Sequence, residues 1–271
     1  MNATHRRFSR THRKQRRILK RTVDAICNPH WHGRELAETT EDLIELAYRG
    51  GVDYLGPMPN TKKPLLTAQS VIEYLEGAKR LVQPGRVIGF LPIVMLTEHT
   101  TREELAACVH AGIKDGKIYP YLRTTKSEHG IRHWGKMIHV VRWCGELGIK
   151  VHVHFEHPDP IYIDREAEYM CLPICQIFLQ ATNAIIIWEH GSDGRCIPFW
   201  KEFAKTGRFY VTFTAHHLAW NEDEVNGDVR RRCKPYIRPE PARNALVHLV
   251  YENHRWVMLG ADDAAHPLHA K

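Results

Sequence analysis

The sequence predicts an α/β fold, a (β/α)8 barrel, on three observations. Eight apolar, β-branched runs recur at regular intervals. Seven segments with helical spacing separate them. The ligand-type polar side chains gather where the runs end. Strict strand–helix alternation specifies a parallel sheet, and eight repeats are the number that closes one on itself. A doubly wound open sheet is the alternative. No Gly-rich phosphate loop follows the first run, which counts against a nucleotide-binding version of it.

The first expected strand is Thr22–Cys27, followed by helical spacing over Glu41–Tyr48. Val52–Gly56 leads into Ala68–Leu81, and Arg86–Val94 into Arg102–His110. Thr101 and Glu104 before that third helix have the S/T-x-x-E spacing of a capping box. Gly112–Tyr119 precedes His133–Leu147, and Ile149–His154 precedes Arg165–Leu179. Ala184–Trp188 is followed by Arg195–Lys205, and Phe209–Phe213 by Arg243–Glu252. Trp256–Ala261 is the eighth run, and the chain stops ten residues later, so the last helix is expected to be missing.

The chain has 271 residues, 43% hydrophobic and 25% charged, which is globular composition with enough apolar material for a sizeable core. Its longest nearly unbroken apolar stretch, Val87–Leu96, falls well short of the roughly 20 residues that span a bilayer, so no membrane partner is expected. The net charge of +7 comes from one place. Residues 1–21 hold nine Lys/Arg and no acid, while the remainder carries 29 Lys/Arg against 31 Asp/Glu. Residues 1–21 are therefore read as a flexible basic tail and 22–271 as one barrel domain. Such a tail can bind polyanions loosely or direct organellar import. The bland reading is a solvated extension, so no nucleic-acid partner is expected; the cytoplasm is the expected location because there is no apolar secretion signal and the cysteines suit reduced thiols. Seven scattered cysteines without a CxxC pair suit reduced thiols. Nineteen histidines, many within apolar runs, point to metal, because an unpaired imidazole is costly to bury.

In a barrel of this kind chemistry gathers at the carboxyl ends of the strands. In order, those ends carry His30-Trp31-His32, Asn60, Lys117, His154, His190, His217 and Asp262. Residues i and i+2 on a strand point the same way, so His30 and His32 can share one ion. A single strand-end histidine is more often a hydrogen-bonded structural residue than a ligand. Four of them (His30, His32, His154, His190) with a closing Asp262 suit zinc, or manganese or cobalt. His152 and His154 share a face, with His152 one layer deeper. Lys117 at the buried end of a strand must be salt-bridged, deprotonated or modified. Carbamylation, which makes the amine a bridging carboxylate, would fit a metal pair.

The ordered set His30-Trp31-His32-Gly33-Arg34, Met58-Pro59-Asn60, Lys117-Ile118-Tyr119-Pro120 with Thr124-Thr125, His154-Phe155-Glu156, Glu189-His190 and Gly260-Ala261-Asp262 with His266 resembles dihydroorotase. The match is to the compact stand-alone type of the metal-dependent amidohydrolase superfamily, and it runs from about residue 23 to the end. The resemblance implies reversible cyclisation of N-carbamoyl-L-aspartate to L-dihydroorotate in pyrimidine biosynthesis. It implies two zinc ions per subunit, one on His30, His32 and Asp262 and the other on His154 and His190, bridged by carboxylated Lys117. Asp262 would be the general acid/base. Arg34, Asn60 and His266 would grip the substrate carboxylate, and Thr124 and Thr125 would belong to a closing loop. A homodimer is implied as well. His217 is left outside the ligand set as structural, and Cys233-Lys234-Pro235 resembles a segment that meets substrate through its backbone.

Two departures stand out, the short C-terminus and the basic tail; smaller ones are Asn28 where an Asp is common before the His-x-His pair, and Gly33 and Ala265 in place of bulkier or stiffer residues. Two other functions stay open at this point. One is another cyclic amidohydrolase, hydantoinase- or allantoinase-like, against which Arg34, Asn60 and His266 argue because they suit an α-carboxylate. The other is a truncated, inactive barrel acting as a binding module.

Overall fold

The computed structural model describes residues 32–33, 44–49, 54–86, 88–124 and 126–262. The expected strand Thr22–Cys27 and the tail lie outside these residues. Nine short strands lie among the described residues, all pairing in parallel in two ladders. The first runs β1 (His32–Gly33), β2 (Tyr54–Pro57), β3 (Gly89–Phe90). The second runs β4 (Ile93–Leu96), β5 (Asp115–Ile118), β6 (Lys150–Val153), β7 (Ile186–Trp188), β8 (Phe209–Phe213), β9 (Val257–Leu259). Helices α1 (Ala68–Arg80), α2 (Arg102–His110), α3 (Ile138–Leu147), α4 (Leu172–Ala181), α5 (Ile197–Ala204) and α6 (Glu240–Tyr251) alternate with them, and residues 44–49 are helical too. Within each of the two ladders, strands adjacent in sequence are adjacent in space, the order a β/α barrel requires. Among the described residues no ladder joins β3 to β4 or β9 to β1.

Several elements depart from the periodicity. The run Arg86–Val94 is two strands, not one, because Leu91-Pro92 lies between β3 and β4 and proline has no N–H for a ladder. The segment His133–Leu147 opens with a 3-10 turn, Trp134–Met137, before α3. Arg165–Leu179 divides into a short helix Asp164–Ala167, a 3-10 turn and α4. Arg195–Lys205 likewise starts with the 3-10 turn Gly194–Cys196. The capping box at Thr101 is only half realised. Thr101 accepts from Glu104 N–H, but the Glu104 carboxylate accepts instead from Ala68 N–H at 2.7 Å, at the start of α1. Complete boxes are found at Thr67 with Ser70 and at Asn221 with Glu224, where each side chain accepts from the other's N–H.

The strands sort their side chains by alternation. Val94, Leu96, Ile118, Val151, Val153, Phe155, Ile186, Trp188, Val211 and Phe213 face one way, into a single core with Leu105, Val140, Val141, Phe178 and Trp200 from the helices. The other face carries Asp115, Lys117, His152, His154 and Thr212, all buried. Burying polar groups is costly unless they are hydrogen-bonded: here Asp115 bonds His152, His154 bonds Glu156 and Thr212 bonds Glu189. Six described cysteines are free thiols, and burial pushes Cys108 and Cys144 up to about 12, so they pack as small apolar groups. No helix among the described residues is long and apolar enough to cross a membrane.

Candidate metal centre

Strand β6 runs directly into the site. Along Lys150-Val-His-Val-His-Phe-Glu156, the apolar residues turn outward under the helices, while His152, His154 and Glu156 turn inward, each fully buried. His154 Nε2 lies 2.6 Å from Glu156 Oε2. A carboxylate accepts, so Nε2 carries the proton and Nδ1 holds the ring's lone pair. That Nδ1 faces His190 Nε2 at 3.0 Å, with the two rings edge to face. A carboxylate behind one imidazole and two ring nitrogens converging in front is the arrangement by which proteins orient metal-binding histidines.

His190 leaves the end of β7 with φ of +43°, in the left-handed region that non-glycine residues seldom adopt. Its N–H donates to Thr212 Oγ1 at 2.6 Å. Asp262, after β9, also has positive φ, +47°. Two of the expected ligands therefore sit in strained backbone, and such strain concentrates at functional sites. Lys117 is 1% exposed on β5, in register with Met95 on β4 and His152 on β6. Its Nζ lies over the Tyr119 ring, 5.5 Å from the centroid, and Tyr119 OH donates to Asn60 Oδ1 at 2.9 Å. Asn60, itself buried, is thereby tied to the lysine's neighbour from a loop 59 residues away.

Of the residues expected from the sequence, the structure brings together His154 with His190 and, through Tyr119, Lys117 with Asn60. Thr124 lies in the loop after β5, where Ser127 Oγ donates to its carbonyl at 2.6 Å. His32 is described only as a position in β1, paired with Gly56 of β2. His30, Arg34, Thr125 and His266 lie outside the described residues. His217 makes a hydrogen-bonded corner: Nε2 donates to the Pro235 carbonyl at 2.9 Å and Nδ1 accepts from Thr214 Oγ1 at 2.7 Å. Burial lowers its pKa to about 3, so the ring is neutral. With His216 and Cys233 it forms a group whose ligand-type atoms lie within 4.8 Å of one another, but both nitrogens of His217 already have partners. A separate cleft of about 1260 Å³ between the 121–135 and 157–165 loops is lined by Arg123, His157 and Tyr236, and by none of Lys117, His154, His190 and Asp262.

Sequence reasoning missed the roles of Glu156, Asp115, Glu189 and Thr212. Only Glu156 left a usable signal, its i+2 spacing from His154.

The donor chemistry fits divalent cations: imidazoles aimed by a carboxylate, a buried lysine on the adjacent strand, and an aspartate ending the last strand. A parallel β/α fold with this constellation at the strand ends is the architecture of the amidohydrolase-type barrels. Its solved neighbours include dihydroorotase from Saccharomyces cerevisiae, with a TM-score of 0.82 at 25% identity over 90% of this chain and 70% of that one. L-hydantoinase from Arthrobacter aurescens, at 15% identity and a TM-score of 0.78, shares the fold.

Curated relatives of the chain include dihydroorotases. That of Acidovorax sp. is 30% identical over 220 residues, and that of Helicobacter hepaticus 31% over 222, each match covering 79% of this chain. The chain spans 62% of the length of both. No protein-family model matches it.

Proposed function

We propose that the chain is a zinc-dependent dihydroorotase, interconverting N-carbamoyl-L-aspartate and L-dihydroorotate. The observation that carries this reading is the convergence of His154 Nδ1 and His190 Nε2 at 3.0 Å, in a chain whose relatives are dihydroorotases. His30, His32 and Asp262 would hold one zinc, His154 and His190 the other, with carboxylated Lys117 between them. When bound, the two ions supply Lewis acidity that polarises the amide carbonyl and acidifies water near neutral pH.

The chain's own residues do the rest. Asp262 accepts a proton from the attacking water and returns it to the leaving ring nitrogen, so water adds across one C–N bond and the ring opens. Arg34 grips the substrate carboxylate as a bidentate fork, joined by Asn60 and His266. Asn60 comes to this task already oriented by Tyr119. The loop bearing Thr124 and Thr125 closes over the substrate and excludes water. The solved yeast relative is a complex with 5-fluoroorotic acid, a ring carboxylate of the class this site would take. The family resemblance also supports a cytoplasmic homodimer.

The test is hydrolysis of L-dihydroorotate by the purified, zinc-loaded chain beside Asp262→Asn, with hydantoin as control substrate. Turnover that collapses in the variant supports the reading. Turnover of hydantoin alone moves the assignment to another cyclic amidohydrolase. A folded chain that holds zinc but turns over neither substrate overturns it.

A further inference from the structure

Beneath the ligand-bearing ends of β5, β6 and β7, one imidazole joins two carboxylates. His152 is fully buried, its Nδ1 2.5 Å from Glu189 Oε1 and its Nε2 2.8 Å from Asp115 Oδ1. Carboxylates accept, so both ring nitrogens donate. The second Glu189 oxygen, Oε2, accepts from the Thr212 hydroxyl at 2.7 Å, and Thr212 Oγ1 accepts from the main-chain N–H of His190 at 2.6 Å. The far end is anchored too, since Lys150 Nζ reaches Asp115 Oδ1 at 2.8 Å. One unbroken line of hydrogen bonds, charge-assisted as far as the Thr212 hydroxyl, thus crosses four strands and ends on the backbone of His190, at the point where φ is +43°.

A packed apolar side chain would fill the space of His152 more cheaply than a buried ion triad. The triad sits where two strand ends must be held in one arrangement, and its last bond lands on a left-handed residue that has no glycine to ease it. Neither a core-filling role nor a general strand-pairing role requires that ending.

We propose that His152 is a positioning residue: by clamping Asp115 and Glu189 it holds, through Thr212, the main chain of His190 in the conformation that aims its ring at His154. This rests on the reading of His190 as a metal ligand, and it assigns to β6 two histidines with different tasks, His154 to ligate and His152 to hold.

The test uses the full chain and zinc alone as the probe, with affinity read by competition against a chelator and folding read by thermal melting. His152→Gln can no longer donate to both carboxylates. It is expected to weaken zinc binding about 10- to 100-fold, the usual effect of losing an outer partner of a ligand, in protein that still melts cooperatively. Thr212→Val, at the other end of the line, is expected to weaken zinc binding in the same direction. The double variant is expected to be no weaker than the worse single one, because both cut the same line. Should His152→Gln fail to fold, Asp115→Asn and Thr212→Val carry the same comparison.

Unchanged zinc affinity in the folded variants overturns the inference, as does strict additivity of the two. A parent chain that holds no zinc overturns it together with the metal-site reading. Zinc retention without dihydroorotate turnover overturns only the substrate, and leaves the affinity comparison able to decide the role of His152.

Discussion

His154 Nδ1 and His190 Nε2 face each other at 3.0 Å although 36 residues separate them, and the carboxylate of Glu156 stands behind the first of the two rings. The pair is assembled by register: β6 and β7 lie side by side, with Val153 opposite Trp188, so the residues just past each strand meet. Glu156→Gln can present either an oxygen or an amide to His154 Nε2 and no longer fixes the tautomer. Zinc content after dialysis, measured by atomic emission, should fall from the parent's value. Titration should show affinity lower by about 10- to 100-fold. Equal retention by the variant would leave Glu156 as packing only.

Lys117 is buried and carboxylated in the proposed enzyme, so its bridge depends on dissolved carbon dioxide. Apoprotein reconstituted with zinc in carbon-dioxide-depleted buffer should regain little activity, and added bicarbonate should restore it. Lys117→Met should bind less zinc and should not respond to bicarbonate. A parent chain indifferent to bicarbonate would place Lys117 in a salt bridge instead.

His217 makes stability pH-dependent. Its folded pKa is lowered from 6.5 to about 3, chiefly by burial. Between those values the unfolded chain binds the extra proton, so stability is full above about 6.5 and falls as pH drops towards 3. Urea denaturation at pH 7, 6, 5 and 4 should show His217→Gln losing less stability on acidification than the parent does. Parallel curves would contradict the assignment of a buried neutral ring.

Gly145 on α3 packs against the main chain that leads into β7. A Cβ there would stand 2.6 Å from Ala184 N and 2.8 Å from Asn183 C, both main-chain atoms that cannot rotate away. Alanine gains up to about 1 kcal/mol in helix propensity. The overlap costs about 1–3 kcal/mol, so it wins and Gly145→Ala should be less stable, as read by urea midpoint. A raised midpoint would show that α3 can shift.

Arg238 is the partner of a buried acid. Its Nη2 lies 3.2 Å from Glu168 Oε2 and its Nε donates to Ser192 Oγ at 3.0 Å. Trp188 Nε1 donates to the same carboxylate, which burial pushes above the usual range. Arg238→Met strands Glu168 in a closed site, at a cost of about 3–5 kcal/mol. Arg238→Met with Glu168→Gln should recover part of the loss, and a double variant no better than the single would refute the pairing.

Local periodicity in the sequence was enough for several of the elements and for the two faces of the sheet, though it merged β3 with β4 and ran 3-10 turns into α3, α4 and α5. The alternation of Val151, Val153 and Phe155 with His152, His154 and Glu156 is a period of two, and it reports which side chains lie under helices whatever the partners are. The expected helix Arg102–His110 and strand Phe209–Phe213 match the structure for the same local reason. Periodicity also placed His154, His190 and Lys117 at strand ends. What it could not hold is pairing at a distance.

That His152 bonds Asp115 and Glu189, each 37 residues away, and that Glu104 caps α1 rather than its own helix, follow from the packing of the strands and helices. Tertiary packing alone places His190 and Asp262 in left-handed backbone. Those outcomes depend on the register of neighbouring strands and on bonds that offset local strain, and neither leaves a trace in the spacing of residues along the chain.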